Sequence, residues 1–450
     1  MRKILILLVS LLFVFSSSAY AESINKTLSS LGVDKDTISI SIKNIENGNV
    51  LYELNDKTQR IPASTLKVIT TAAAVDTLGK DYKFSTKLYK STNNDLYIKL
   101  SGDPLLTSND LGVLVDGAMA KNITPKNIYL DDTVFDNVEW GKDWTEDDEL
   151  NSSVPKFSAY NIDNNLLKVE IAPTSNLLPA SIKVKPFYPI SFMNLVETDG
   201  HMSNSVKIEK SDSLIPNMLK VSGVVSKVYN TYIPVSNPKM NFILRLEEVI
   251  RSKKFEYYNP IKNAKLPSVN VYLVSQVDHG MDLILAEVLK NSSNLASETL
   301  FKMAGAVWAN STGTFENSMA MLKSYLEKCD INSKDLQIED ASGVSNHNLV
   351  TADFMTDFLV MKSKSDNFED YKLLFPTPGT GTLKNRMLYF KDNLRAKTGT
   401  LTGSSALAGY IVSRRGKVYA FDIMINDPDT STADKKNIEE QILRNVYVNN

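Results

Sequence analysis

Cysteine is nearly absent: Cys329 is the single one among 450 residues. That excludes an intramolecular disulfide, a CxxC redox pair and a cysteine-rich metal site. Histidine is scarce as well. His201, His279 and His347 stand far apart, and no HExxH occurs, so a zincin helix is excluded. There is no run of five or more basic residues; 50 Lys plus Arg are balanced by 52 Asp plus Glu, for a formal net charge of −2. Such a chain carries no electrostatic footprint for a nucleic acid. After the opening residues no apolar run approaches the ~20 residues that a membrane-crossing helix needs.

What is present describes a globular protein. Hydrophobic residues make up 43% and charged residues 23%, enough for a sizeable core. At roughly 100–200 residues per domain the length predicts two to four domains. Residues 1–21 read as a cleaved signal peptide. Arg2 and Lys3 precede an apolar run from Ile4 to Phe15, broken by Ser10, and Ala19-Tyr20-Ala21 gives the small-x-small cleavage pattern. The expectation is export to the periplasm or cell envelope. No cysteine follows the run, so a lipoprotein anchor is excluded. Cys329 falls in a helical pattern and reads as a packed or surface thiol.

Ile38, Ile40 and Ile42 alternate with polar residues, as do Val50, Tyr52 and Leu54, with Asn47-Gly48 between them. That is a hairpin. Residues 65–78 read as a helix ended by Gly79. Residues 86–265 hold short alternating runs, such as Asp95 to Leu100 and Leu166 to Ile171, and read as β-rich inserted material. Helical patterns return at 279–305 and 316–328. Near the C-terminus come a strand at 394–400, a second from Leu407 to Ser413, a turn at Arg415-Gly416, a third strand from Val418 to Ile425, and a helix from about Thr432. The hairpin, the three late strands and the helices fit one antiparallel sheet covered on both faces.

Three short motifs carry chemistry. Ser64-Thr65-Leu66-Lys67 is S-x-x-K; it competes with Ser23/Lys26, Ser153/Lys156 and Ser236/Lys239. Pro155 and Pro238 disfavour a helix through two of the rivals, and Ser23 lies at the cleavage site. Only Ser64 opens a strong helical pattern, and positions three apart share a helix face, so the Lys67 amine is expected beside the Ser64 hydroxyl. S-x-N occurs at Ser292/Asn294, Ser91/Asn93 and Ser365/Asn367. K-T-G occurs once, at Lys397-Thr398-Gly399. A serine hydroxyl needs a base to become a nucleophile, and a lysine serves as one only when burial or a neighbouring cation lowers its pKa.

In this order the motifs resemble those of penicillin-recognising serine enzymes. Further segments extend the likeness along nearly the whole chain: IPASTLKVITTAAAVDTLG, LYIKLSGDPLLT, KNSSNLASETLFKMAG, IEDASGVSNHNLVT, PGTGTLKNRM and RAKTGTLTGSSALAGY. The chain resembles the low-molecular-mass class C penicillin-binding proteins, which are D-alanyl-D-alanine carboxypeptidases and endopeptidases. Val344 departs mildly from that pattern. The resemblance selects Ser292/Asn294 as the second motif. It implies an α/β multidomain fold, with a β-lactamase/transpeptidase-like catalytic domain over 22–85 and 266–450. One inserted domain is expected over 86–172 and 215–265, and a small second one over 173–214.

The resemblance also implies roles. Ser64 is the nucleophile, Lys67 the general base and Ser292 a proton relay. Asn294, Lys397, Thr398 and Gly399 bind substrate, and the backbone N–H groups of Ser64 and Thr400 form the oxyanion hole. The implied partners are peptidoglycan stem peptides, with β-lactam antibiotics as acylating inhibitors; no metal or cofactor is implied. The implied reaction removes a terminal D-alanine or cuts D-amino-acid cross-links. A β-lactamase is the competing enzyme, because Asp147 to Asn151 nearly match its E-x-x-L-N segment. A catalytically silent binding protein of the same fold is the competing non-enzyme.

Overall fold

The computed structural model describes residues 22–215, 217–334 and 336–449. The expected export signal, 1–21, lies outside the described residues. Among those described, no helix is long and apolar enough to cross a membrane.

The central sheet is antiparallel and five-stranded. Its order is Leu394–Leu401, Ser404–Val412, Val418–Asn426, Ile38–Asn44, Val50–Leu54. Period-two alternation splits its side chains between two cores. Ile38, Ile40, Ile42, Phe421, Ile423 and Ile425 pack with Ile438, Ile442 and Leu443 of the helix Thr432–Asn449. On the other face Ala406, Ala408, Ala420 and Met424 meet the helices Lys67–Leu78 and Ala352–Ser363. Ser39 and Ser41, the polar half of the hairpin pattern, are therefore buried too. Their hydroxyls are satisfied: Ser39 donates to the Asn55 carbonyl at 2.8 Å, and Ser41 pairs with Thr356 at 2.7 Å.

The inserted material is less purely β than its sequence suggests. A second five-stranded sheet runs Lys262–Asn263, Ile128–Asp131, Leu96–Lys99, Lys83–Ser91, Val271–Gly280. Two full helices pack with it, Ser108–Ala120 and Pro238–Ser252. The first has a Thr107/Asp110 capping box, and the second an Asn237 cap with proline in its first turn; both features start helices firmly. An outer lobe is made of two three-stranded sheets around Leu167, Val169, Ile171, Val196, Val221 and Ile233.

Strand pairing falls across the limits expected from sequence. Val271–Gly280 pairs with Lys83–Ser91, so the inserted sheet runs past residue 265. Ser181–Lys185 pairs with Leu166–Ala172, and Met218–Val225 with Ser191–Thr198, so 173–214 is not closed on itself. The helical pattern at 279–305 is also divided. A strand ends at Gly280, a short helix and a π-turn follow to Lys290, and a new helix runs Asn294–Ala309. The break between them holds Ser292. One hydrophobic core joins Leu66, just before the helix Lys67–Leu78, and Val68 within it to Phe84, Leu88, Phe242 and Leu246 of the insert.

Candidate active site

Pro62 precedes a single 3-10 turn, Ala63–Leu66, that leads straight into the helix Lys67–Leu78. The one-turn spacing brings Lys67 Nζ to 2.9 Å from Ser64 Oγ. Lys67 is completely buried while Ser64 keeps partial exposure, so the amine is hidden and the hydroxyl is reachable. Two more acceptors close around the amine: Asn294 Oδ1 at 2.6 Å and the Ser342 carbonyl at 2.6 Å. Burial pushes Lys67 down to about 7, with the carboxyls of Asp340 and Glu298 pulling the other way. Of the two causes that can lower a lysine, burial or a neighbouring cation, burial is the one that acts on Lys67.

Ser292 stands in the break between two helices with φ at 62°, a left-handed conformation uncommon for a residue with a side chain. The following residue explains how it is held. Ser293 caps the next helix, its hydroxyl accepting from Ala296 N at 3.2 Å. Ser292 Oγ then accepts from Lys397 Nζ at 2.8 Å. Lys397 is fully buried, and burial together with Lys67 drives its amine well below the ordinary lysine range. An arriving carboxylate would favour its charged form again.

Thr398 Oγ1 donates to Thr382 Oγ1 at 2.8 Å, which ties the strand to the segment after Pro378. Gly399 passes so close to the turn that carries Ser64 that a Cβ there would stand 2.7 Å from the Pro62 carbonyl and 3.0 Å from Ser64 N. Thr400, next on this edge strand, is exposed. Ser64, Lys67, Ser292, Asn294, Lys397, Thr398 and Gly399 therefore meet in one place.

The rival motifs lie elsewhere. Ser365 and Asn367 bond to each other beyond the end of the helix Ala352–Ser363, and Ser91 ends an insert strand. Asp147 is exposed on the short 3-10 helix Glu146–Leu150. Ser23 bonds to Asn445, and Lys156 to the Ser236 carbonyl.

Four contributors were not singled out from sequence. The Ser342 carbonyl and the Ser153 carbonyl act through backbone; the second accepts from Asn294 Nδ2 at 2.8 Å. Asp340 accepts from Trp144 Nε1 at 2.8 Å and from the N–H groups of Gly343 and Ser345. Glu298 accepts from the N–H groups of Ala341 and Ser342. The Asp-x-Ser-Gly segment at 340–343 was visible as a resemblance; its carbonyl was not.

Gly343 lets this segment lie against the turn that carries Ser64. Its φ is +80°, and a Cβ there would stand 1.9 Å from the Ala63 carbonyl oxygen. Gly343→Ala is expected to displace Ser342 and slow acylation of the enzyme by about 100-fold, the scale of an ångström-sized misplacement. The check is the rate of labelling by a chromogenic β-lactam.

A fully buried lysine against a reachable serine, opposite a second lysine on an edge strand of an antiparallel sheet, defines a serine acyl-transfer enzyme of the penicillin-recognising class. Comparison with known proteins agrees. Residues 20–446 match the D-Ala-D-Ala carboxypeptidase 3 (S13) family, and the chain belongs to that family of serine peptidases. It is 25% identical over 451 residues to the D-alanyl-D-alanine carboxypeptidase of Actinomadura sp. (strain R39), covering 91% of this chain and 84% of that protein. Penicillin binding protein 4 (dacB) from Haemophilus influenzae superposes with a TM-score of 0.79 at 26% identity, covering 91% of this chain and 95% of that one. A structure of the same protein complexed with a novel β-lactam gives a TM-score of 0.77 at 24% identity, covering 94% and 99%.

Proposed function

We propose that this chain acts in the cell envelope, after export, removing the terminal D-alanine of peptidoglycan stem peptides through an ester on Ser64. One observation carries the reading: Lys67 Nζ sits among Ser64 Oγ, Asn294 Oδ1 and the Ser342 carbonyl. A neutral amine has two N–H donors and one lone pair. Asn294 and Ser342 take the two donors, so the lone pair faces the Ser64 hydroxyl. Position and pKa together suit a general base near neutral pH.

In the proposed step the Ser64 proton passes to Lys67 as Oγ bonds to the substrate's carbonyl carbon. The carbonyl's negative charge falls to the N–H groups of Ser64 and Thr400. The C–N bond then breaks, and the proton reaches the leaving D-alanine amine through Ser292. Lys397 and Thr398 hold the terminal carboxylate by charge and hydrogen bond. Asn294 Nδ2 exchanges the Ser153 carbonyl for the substrate's peptide. Water finally hydrolyses the ester. A β-lactam enters the same way but leaves a ring-opened ester whose amine stays attached. The exposure of Asp147 speaks against a dedicated deacylating carboxylate, hence against a β-lactamase. We assign the insert to residues 83–280, following the strand pairing.

The test is to incubate the protein with benzylpenicillin, measure intact mass and map the adduct, then assay D-alanine release from a D-Ala-D-Ala peptide. A stable adduct on Ser64 with D-alanine release is expected. Folded protein that takes no label overturns the reading, and rapid drug hydrolysis without an adduct replaces it with the β-lactamase.

A further inference from the structure

We infer that Glu298 is a positioning residue for Lys67, acting through the Ala341-Ser342 backbone that it grips. The inference rests on Lys67 serving Ser64 as base. All four polar backbone groups of residues 341 and 342 are held. Glu298 Oε1 accepts from Ala341 N at 3.0 Å and from Ser342 N at 2.8 Å, and Oε2 from Ala341 N at 3.2 Å. The Ala341 carbonyl accepts from Thr70 Oγ1 at 2.9 Å and Ser297 Oγ at 3.1 Å. The Ser342 carbonyl accepts from Lys67 Nζ at 2.6 Å, with Ser64 Oγ 3.3 Å away. The carbonyl that aims the lone pair is thus oriented from behind by one carboxylate.

Glu298 lies one helical turn beyond Asn294 on the helix Asn294–Ala309. A single rigid element therefore supplies both acceptors of Lys67, Asn294 directly and Ser342 through Glu298. Such support from behind is how a reactive geometry is kept tight. Structural need alone does not explain a carboxylate here. Glu298 is 3% exposed, and among the described residues no ion pair involves it. Lys302, which borders the same cavity of about 130 Å³, is taken by Asp136 and the Val138 carbonyl. The cation whose charge Glu298 feels is Lys67. Burial and Asp340 push Glu298 up to about 8, and Lys67 draws it the other way, so its carboxyl ionises in the pH range where Lys67 loses its proton.

The ionisable groups around Lys67 are Glu298 on its helix, Asp340 on the loop and Lys397 on the edge strand. Replacing Glu298 removes one of three and also loosens the carbonyl. The test is the acylation rate by a chromogenic β-lactam from pH 5 to 9 for the parent, Glu298→Gln and Glu298→Asp, with melting temperatures. For Glu298→Gln the acid limb is expected to move to lower pH by about half a unit or more, and the plateau to fall about tenfold. Glu298→Asp, which keeps the charge, should bring the limb back. A limb and plateau unchanged in Glu298→Gln overturn the inference. So does an unmoved limb with a plateau loss that matches lost folded protein. A parent that takes no label instead overturns the proposed function, and the two failures are thereby distinct.

Discussion

Ser64→Ala is expected to abolish covalent labelling by penicillin and to lower D-alanine release by about 10⁶-fold, the scale seen when a serine nucleophile is removed. The argument is local. The Ser64 side chain makes two contacts, to Lys67 Nζ and to the Ser342 carbonyl. Lys67 keeps Asn294 and Ser342 when the hydroxyl is lost, so the amine is not stranded. The backbone N–H of residue 64 is retained, and with it that half of the proposed oxyanion hole. Melting temperature should therefore change little while chemistry stops. Residual covalent labelling of folded Ser64→Ala would assign the nucleophile elsewhere.

The second large effect is at Lys67. Lys67→Met keeps the length of the side chain and removes the amine. A positioned general base contributes about 10²–10⁴-fold, and the variant should lose that much in acylation. Its pH profile is the sharper readout. In the parent, the rate should fall as pH drops through about 7, because only the neutral amine accepts the proton. In Lys67→Met that limb should vanish. Stability carries the opposite test of the same group. The folded pKa of Lys67 lies near 7, below the ordinary 10.5, so between those values the unfolded chain binds the extra proton. The parent should lose stability as pH falls from 10.5 to 7 on this account, with no further loss below 7. The variant should lack that slope. A parent rate flat from pH 5 to 9 would remove Lys67 from the role.

The pairing of Ser64 with Lys67 was legible because it is local: three residues apart on one helix means one face, whatever the rest of the chain does. The central sheet was legible for a similar reason, since its strands keep period-two patterns and its turns hold Asn47-Gly48 and Arg415-Gly416. The contact from Lys397 to Ser292 spans 105 residues, and the motifs alone could not choose among three S-x-N candidates; the resemblance of the flanks did. The Ser342 and Ser153 carbonyls leave no trace in sequence, because every residue has a carbonyl. The helix Ser108–Ala120 was hidden by Gly112 and Gly117, which weaken helix propensity. Gly117 serves packing instead: a Cβ there would stand 2.5 Å from Ser275 Cβ, so the glycine lets the strand Val271–Gly280 close onto the helix. The inserted sheet extends past 265 because that strand's partner lies at Lys83–Ser91, a pairing that composition cannot reveal.

The bond from Trp144 to Asp340 has a spectroscopic consequence. The chain holds three tryptophans. Trp308 is half exposed near the end of its helix. Trp140 and Trp144 stack edge-on with ring centroids 5.0 Å apart, and Trp144 is buried with its indole N–H on Asp340, which holds the loop through Gly343 and Ser345. Any movement of that loop during acylation therefore changes the polarity and hydrogen bonding of an indole. If that movement accompanies acylation, the emission of the unmodified protein is expected to follow the acyl-enzyme, with Trp308 as a background that a solvent quencher can subtract.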